Sequence, residues 1–142
     1  MLSAVLLLTT TRRHSFVVQD TDVADFAAEG GHFVHAVCGT FRLARAAEWA
    51  GRLFVLELKQ AEEEGIGTFV HLDHHAPAFV GEEVVIDATL DEATSTGVVT
   101  CSFAARVGPR LVASGRTGQR ILPQAKLAQI FAAVRPPVSP ES

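Results

Sequence analysis

The sequence predicts an α+β domain in which one long apolar helix is enclosed by an antiparallel sheet, and three observations predict it. Residues 40–59, TFRLARAAEWAGRLFVLELK, are rich in Ala and Leu and contain no proline, a composition that forms helix. Strand-like runs follow at 66–73, 83–92, 97–107 and 110–122, separated by STG and VGPR turns. In VVIDATLDE, apolar Val84, Ile86, Ala88 and Leu90 alternate with Val85, Asp87, Thr89 and Asp91, the period of a sheet with one covered face.

Taken in order, the elements fit that class. The opening MLSAVLLLTTTRR has an apolar run of signal-peptide length, but its positive charge follows the run, so it reads as a strand or a mobile arm. One or two early strands precede the helix. On the helix, Leu43, Ala44, Ala46, Ala47, Ala50, Phe54, Val55 and Leu58 cover a wide arc, leaving a polar stripe of Arg42, Arg45, Arg52 and Lys59. A helix that apolar is expected to be enclosed on several sides, which favours a strongly curved sheet over a flat one. The acidic turn AEEEGIG leads into the strand meander. A final short helix is expected in PQAKLAQIFAAV, with Pro123 at its start. The tail RPPVSPES, 135–142, holds three of the six prolines and reads as disordered, leaving one domain over 1–134.

Composition narrows the function classes. A chain of 142 residues and 15.2 kDa suits one domain with a real core. Its hydrophobic share of 48% and charged share of 20% are those of a folded chain. The net charge of -4 gives no reason to expect nucleic acid as a partner, and no run is long and apolar enough for a membrane span. Two cysteines do not make a disulfide framework, so buried thiols in a reducing, cytoplasmic setting are expected.

The chemistry concentrates in GTFVHLDHHAPAFVGEE, 67–83, which holds three of the six histidines and an aspartate within five positions. On a strand, His71, Asp73 and His75 share one side, while Leu72 and His74 share the other. The first three can converge on a cation, but no CxxC and no helical HxxxH supplies further ligands, and the cysteines lie far apart at 38 and 101. No metal is therefore expected, and without a nucleotide-binding loop no cofactor is implied. Thr40 after Gly39 fits a helix N-cap. The first turn, FRLAR, carries two arginines and no carboxylate, leaving its amides open to an anion or a developing oxyanion. Glu48 has Arg52 at i+4 and Arg45 at i−3, a spacing that also fits a surface ion pair. Arg106, Arg110, Arg116 and Arg120 lie on or between the late strands, where solvated edges are the simpler reading and phosphate contacts the alternative.

The pattern Gly39–Thr40, Glu48 eight residues on and GTFVHLDHHAP from Gly67 resembles the fluoroacetyl-CoA thioesterase-like family of hotdog thioesterases. The resemblance spans most of 15–122, including FVVQDTDVADF and HHAPAFVGEEVVIDATL. It implies the hotdog fold, a long central helix wrapped by a curved antiparallel sheet, and hydrolysis of a small acyl-CoA by a homodimer or higher homo-oligomer. It places catalytic roles on Thr40, Glu48 and His74, and substrate contact on Gly67, Gly39 and Phe41. Phe41 stands where the family usually has proline, a departure that bears on where the helix starts and on the shape of the pocket, while the three polar residues remain. A thioester's leaving thiolate needs no strong acid, since its parent thiol has a pKa near ~8.5. Water activation and oxyanion stabilisation remain to be supplied. Glu48 suits general base or nucleophile, His74 orienter of water, and Thr40 with nearby amides a carbonyl clamp, a Thr40 acyl-enzyme being a third route. Two other classes fit the fold: a non-catalytic dimer binding an acyl thioester or small aromatic ligand, and a hydratase, for which no Asp-x4-His arrangement is present.

Overall fold

The computed structural model describes residues 2–138. The opening apolar run forms a short helix, α1 (Leu2–Leu7), where a strand or arm was expected. The run has no diagnostic period; what decides its conformation is that Ala4, Leu7 and Leu8 cover one end of the core. Strand β1 (Thr11–Val17) follows, then a two-stranded antiparallel ribbon of β2 (Val23–Asp25) and β3 (Phe33–Cys38). Helix α2 (Thr40–Leu58) leads into β4 (Glu63–His74), β5 (Glu83–Ala93), β6 (Val98–Val107), β7 (Arg110–Pro123) and α3 (Gln124–Val134). The main sheet has the order β1-β5-β6-β7-β4 and is antiparallel throughout, so β1 and β4 are its edges. Residues 135–138 have no regular secondary structure, and the rest of the tail expected to be disordered lies outside the described residues.

The alternation in β5 is the one the sequence predicts. Val84, Ile86, Ala88 and Leu90 are all buried against α2, whose Leu43, Ala46, Ala47, Ala50, Phe54 and Val55 are buried in turn. Each large side chain so enclosed contributes ~1.5–3 kcal/mol of transfer free energy. Three glycines let helix and sheet approach closely. An added Cβ at Gly51 would lie 2.6 Å from Thr117 Oγ1, one at Gly65 2.5 Å from Val55 Cγ1, and one at Gly67 2.5 Å from Glu48 Oε1.

The enclosure is one-sided. All five strands contact α2 from beneath, but its opposite face leaves Phe41, Trp49 and Leu56 exposed at 51%, 42% and 43%. The curved antiparallel sheet wraps the long central helix as expected, and this stripe is the part of α2 that the five strands leave uncovered.

Candidate active site

The start of α2 builds the first half of the site. Gly39, not Thr40, occupies the N-cap, with φ −68° and ψ 148°, and no side chain caps the helix. Any residue adopts that backbone, so conformation is not what calls for glycine. The ring of Phe41 folds back over Gly39, and a Cβ there would collide with it. Gly39 N–H donates to Asp22 O at 2.7 Å, and Arg42 Nε donates to the Asp22 carboxylate at 3.0 Å while its guanidinium lies 3.9 Å from the centre of the Phe16 ring. One of the two first-turn arginines is thus paired with a carboxylate beside the helix start. Freed from capping, Thr40 Oγ1 hydrogen-bonds His74 Nδ1 at 2.9 Å.

His74 reaches Thr40 because β4 is bulged. The β4–β7 register runs Gly67↔Gln119 and then Phe69↔Gly118, leaving Thr68 unpaired. Before the bulge the odd residues Gly65 and Gly67 face α2, as their neighbours Val55 and Glu48 show. The extra residue reverses the parity, so Val70, Leu72 and His74 face inward opposite Thr117, Gly115 and Ala113. With strict alternation from Gly67, His71 would face the helix and His74 would point outward.

Glu48 forms the second half. Its Oε1 sits against the Cα of Gly67, and its main-chain carbonyl accepts a 3.3 Å hydrogen bond from Gln119 Nε2. Among the described residues Glu48 has no ion pair, because Arg52 turns to Glu64 at 2.8 Å. The Glu64 carboxyl is held below its usual range by the Gly65 amide and then by Arg52. Glu48 also lines a groove of ~450 Å³ along the outer face of α2 with Arg45, Trp49, Arg52 and His14. The His14 and Trp49 rings meet edge to face at 6.4 Å, and burial followed by Arg42 lowers the His14 pKa. The sequence carries no signal for His14, Trp49 or Asp22, which reach the site only through packing.

The expected residues thus form two pairs. Thr40 and His74 are bonded, Glu48 and Gly67 are in contact, and eight residues of helix separate Thr40 from Glu48 by ~12 Å along the axis. The other histidines are engaged elsewhere: His71 stacks on Phe69 with centroids 4.7 Å apart, and His75 Nε2 hydrogen-bonds Ser114 Oγ at 2.7 Å. Among the described residues no three His, Cys, Asp or Glu side chains are grouped to hold a metal ion. Of the late arginines, Arg106, Arg116 and Arg120 are exposed, whereas Arg110 is tied to Glu82 at 2.8 Å. Cys38 and Cys101 are free and buried, their thiols pushed up by burial to about 11 and about 12. No helix of the described residues is long and apolar enough to cross a membrane.

Comparison with known proteins bears on the fold and the family. No curated protein matches the sequence significantly. Among solved structures, the chain is similar to a hypothetical protein of Thermus thermophilus described as a thioesterase superfamily member, at 29% identity over 90% of this chain and 92% of that one, with a TM-score of 0.83. The fluoroacetyl-CoA thioesterase FlK shares the fold at 19% identity over 91% of this chain and 97% of that one, with a TM-score of 0.81. A hot-dog-like protein of Thermanaerovibrio acidaminovorans does so at 16% identity over 92% and 94%, with a TM-score of 0.80. The family model described as FlK, fluoroacetyl-CoA-specific thioesterase, matches residues 18–125, well over half of the chain and the whole span from β2 to the end of the sheet. A hotdog domain with this match is a thioester hydrolase, and the chain belongs to the fluoroacetyl-CoA-specific thioesterase family.

Proposed function

We propose that this protein hydrolyses a short acyl-CoA to the free acid and CoA, as a cytoplasmic homodimer. The observation that carries the reading is the 2.9 Å bond between Thr40 Oγ1 and His74 Nδ1 at the open start of α2. With the imidazole proton on Nδ1, His74 donates to Thr40 Oγ1. The threonine hydroxyl hydrogen is then free for the thioester carbonyl oxygen, and Nε2 keeps a lone pair for water. Amides of the first helical turn add positive field where negative charge develops on that oxygen. Glu48, seated on Gly67, takes a proton from the attacking water, or its carboxylate attacks the acyl carbon and water then cleaves the anhydride. In either route the C–S bond breaks as the tetrahedral oxyanion collapses, and the CoA thiolate leaves.

The small-acyl preference is supported by packing. Gly51, Gly65 and Gly67 bring α2 against β7 and β4 closely enough that a single added carbon would clash, so a long chain has no passage between them. Phe41 over Gly39 adds an aromatic wall beside Thr40. The dimer is supported by the uncovered face of α2 and the open edge of β4. The reducing location is supported by two free, buried thiols.

A panel of short acyl-CoAs, fluoroacetyl-CoA among them, with a thiol reagent tests the proposal. CoA release on one or more members is the expected result. Tight binding without release would instead establish a non-catalytic acyl-thioester module.

A further inference from the structure

The loop joining β4 to β5 is tied to the chain beside both members of the Thr40–His74 pair. It begins at His75, the residue after His74, and its His75 and Ala76 amides both donate to Val112 O, at 2.7 and 3.2 Å. Further along, Ala78 O accepts the Cys38 amide at 2.8 Å, two residues before Thr40, and Phe79 bridges Val37. One loop is therefore covalently continuous with His74 and hydrogen-bonded to β3, the strand that ends two residues before Thr40.

A single guanidinium gathers that loop. From the first residue of β7, Arg110 Nη1 donates to Pro77 O at 3.0 Å and to Glu82 Oε1 at 2.8 Å, while Nη2 donates to Glu82 Oε2 at 2.9 Å. Glu82 Oε1 also accepts the Phe79 amide at 2.8 Å, and the guanidinium lies 5.8 Å from the Phe79 ring centre. The start, middle and end of the loop converge on one planar fork that a lysine ammonium cannot reproduce.

We propose that Arg110 and Glu82 are positioning residues for hydrolysis, clamping this loop so that His74 is held at bonding distance from Thr40. The inference rests on the reading of Thr40 and His74 as catalytic. Neither clamp residue touches the substrate; both act through the loop. A shift of the His74 imidazole by a fraction of an ångström matters because hydrogen-bond strength, proton transfer and carbonyl alignment are steep functions of geometry.

The test uses Arg110→Lys and Glu82→Gln, each alone and combined with Thr40→Ala, on the acyl-CoA that the wild type cleaves fastest. In parallel, the ¹⁵N resonance of His74 Nδ1 reports the Thr40 hydrogen bond without needing turnover. Each clamp variant is expected to lower kcat roughly 10- to 100-fold with KM little changed. Each should also move the His74 Nδ1 signal toward its position in Thr40→Ala. In the Thr40→Ala background the clamp substitutions should cost nothing further, because the geometry they hold is already lost. Equal proportional losses in both backgrounds, or an unmoved His74 signal, overturn the proposal. Should the wild type release CoA from no substrate, the catalytic reading fails, while the His74 signal still decides whether the clamp sets the pair. If Arg110→Lys does not fold, Glu82→Gln, which keeps an acceptor for the Phe79 amide, answers the same question.

Discussion

Glu48 and Gly67 account for each other: an added Cβ at Gly67 would lie 2.5 Å from Glu48 Oε1, so the glycine is needed for contact and not for backbone freedom. With no ion pair competing for it among the described residues, Glu48 is available to water or to the acyl carbon. Glu48→Gln keeps the volume and removes the basic oxygen, and turnover is expected to fall ~10²–10⁴-fold with the fold intact. Near-normal steady-state kinetics in that variant would shift the chemistry to Thr40. The three clustered histidines should respond unequally. His74→Ala is expected to lose most hydrolysis, while His71→Ala and His75→Ala, whose partners are Phe69 and Ser114 on the outer face, keep most of it. A metal site demands the reverse, together with stoichiometric metal by elemental analysis and loss of function with chelator.

At the scale of elements, the closeness of α2 to the sheet is itself testable. Replacing a helix-interior glycine by alanine ordinarily gains ~0.8–1.0 kcal/mol of helix propensity. At Gly51 the new carbon would meet the buried Thr117 hydroxyl at 2.6 Å, and overpacking of this kind costs ~1–3 kcal/mol. Gly51→Ala is therefore expected to lower the melting temperature, and a rise would mean the helix has room to lift. The β4–β5 loop carries a pH signature. The Arg110 side-chain hydrogen bonds, and next the Phe79 amide, hold the Glu82 carboxyl down at about 2 from an ordinary 4.5. A depressed carboxylate contributes stability that is fully present above 4.5 and is lost as pH falls through about 2. Urea midpoints of wild type and Glu82→Gln should differ at neutral pH and converge as the solution is acidified through that window. A gap independent of pH would show that the pair contributes nothing through charge.

For the molecule as a whole, the uncovered side of α2 is the outstanding feature. Phe41, Trp49 and Leu56 are spaced along one face with Arg45 and Arg52 among them, and β4 leaves one edge of its backbone unpaired. A second copy that adds its own β4 and lays its own α2 face alongside would remove both liabilities and shield the groove beside Glu48 from water. Light scattering is expected to give at least twice the chain mass of 15.2 kDa, with Trp49→Asp reducing both the mass and the turnover. A fully active monomer would contradict this arrangement.

The long helix, the four late strands, the inward set of β5 and the short closing helix were legible because each depends on local periodicity or turn chemistry. The Gly39–Thr40, Glu48 and HxAP pattern likewise pointed to its family. Other features depended on tertiary contacts. The apolar residues at the start became helix that packs on the core, and Gly39, not Thr40, took the N-cap, with the Phe41 ring lying over it. The clearest case is β4. Alternation correctly set His74 apart from His71 and Asp73, yet nothing in the sequence said which set faces the helix. That was decided by one unpaired residue, Thr68, which reverses the parity between Gly67 and His74 so that both face α2. A bulge is a property of two strands in register, and its effect on which side chain reaches the site exists only once β7 is paired alongside.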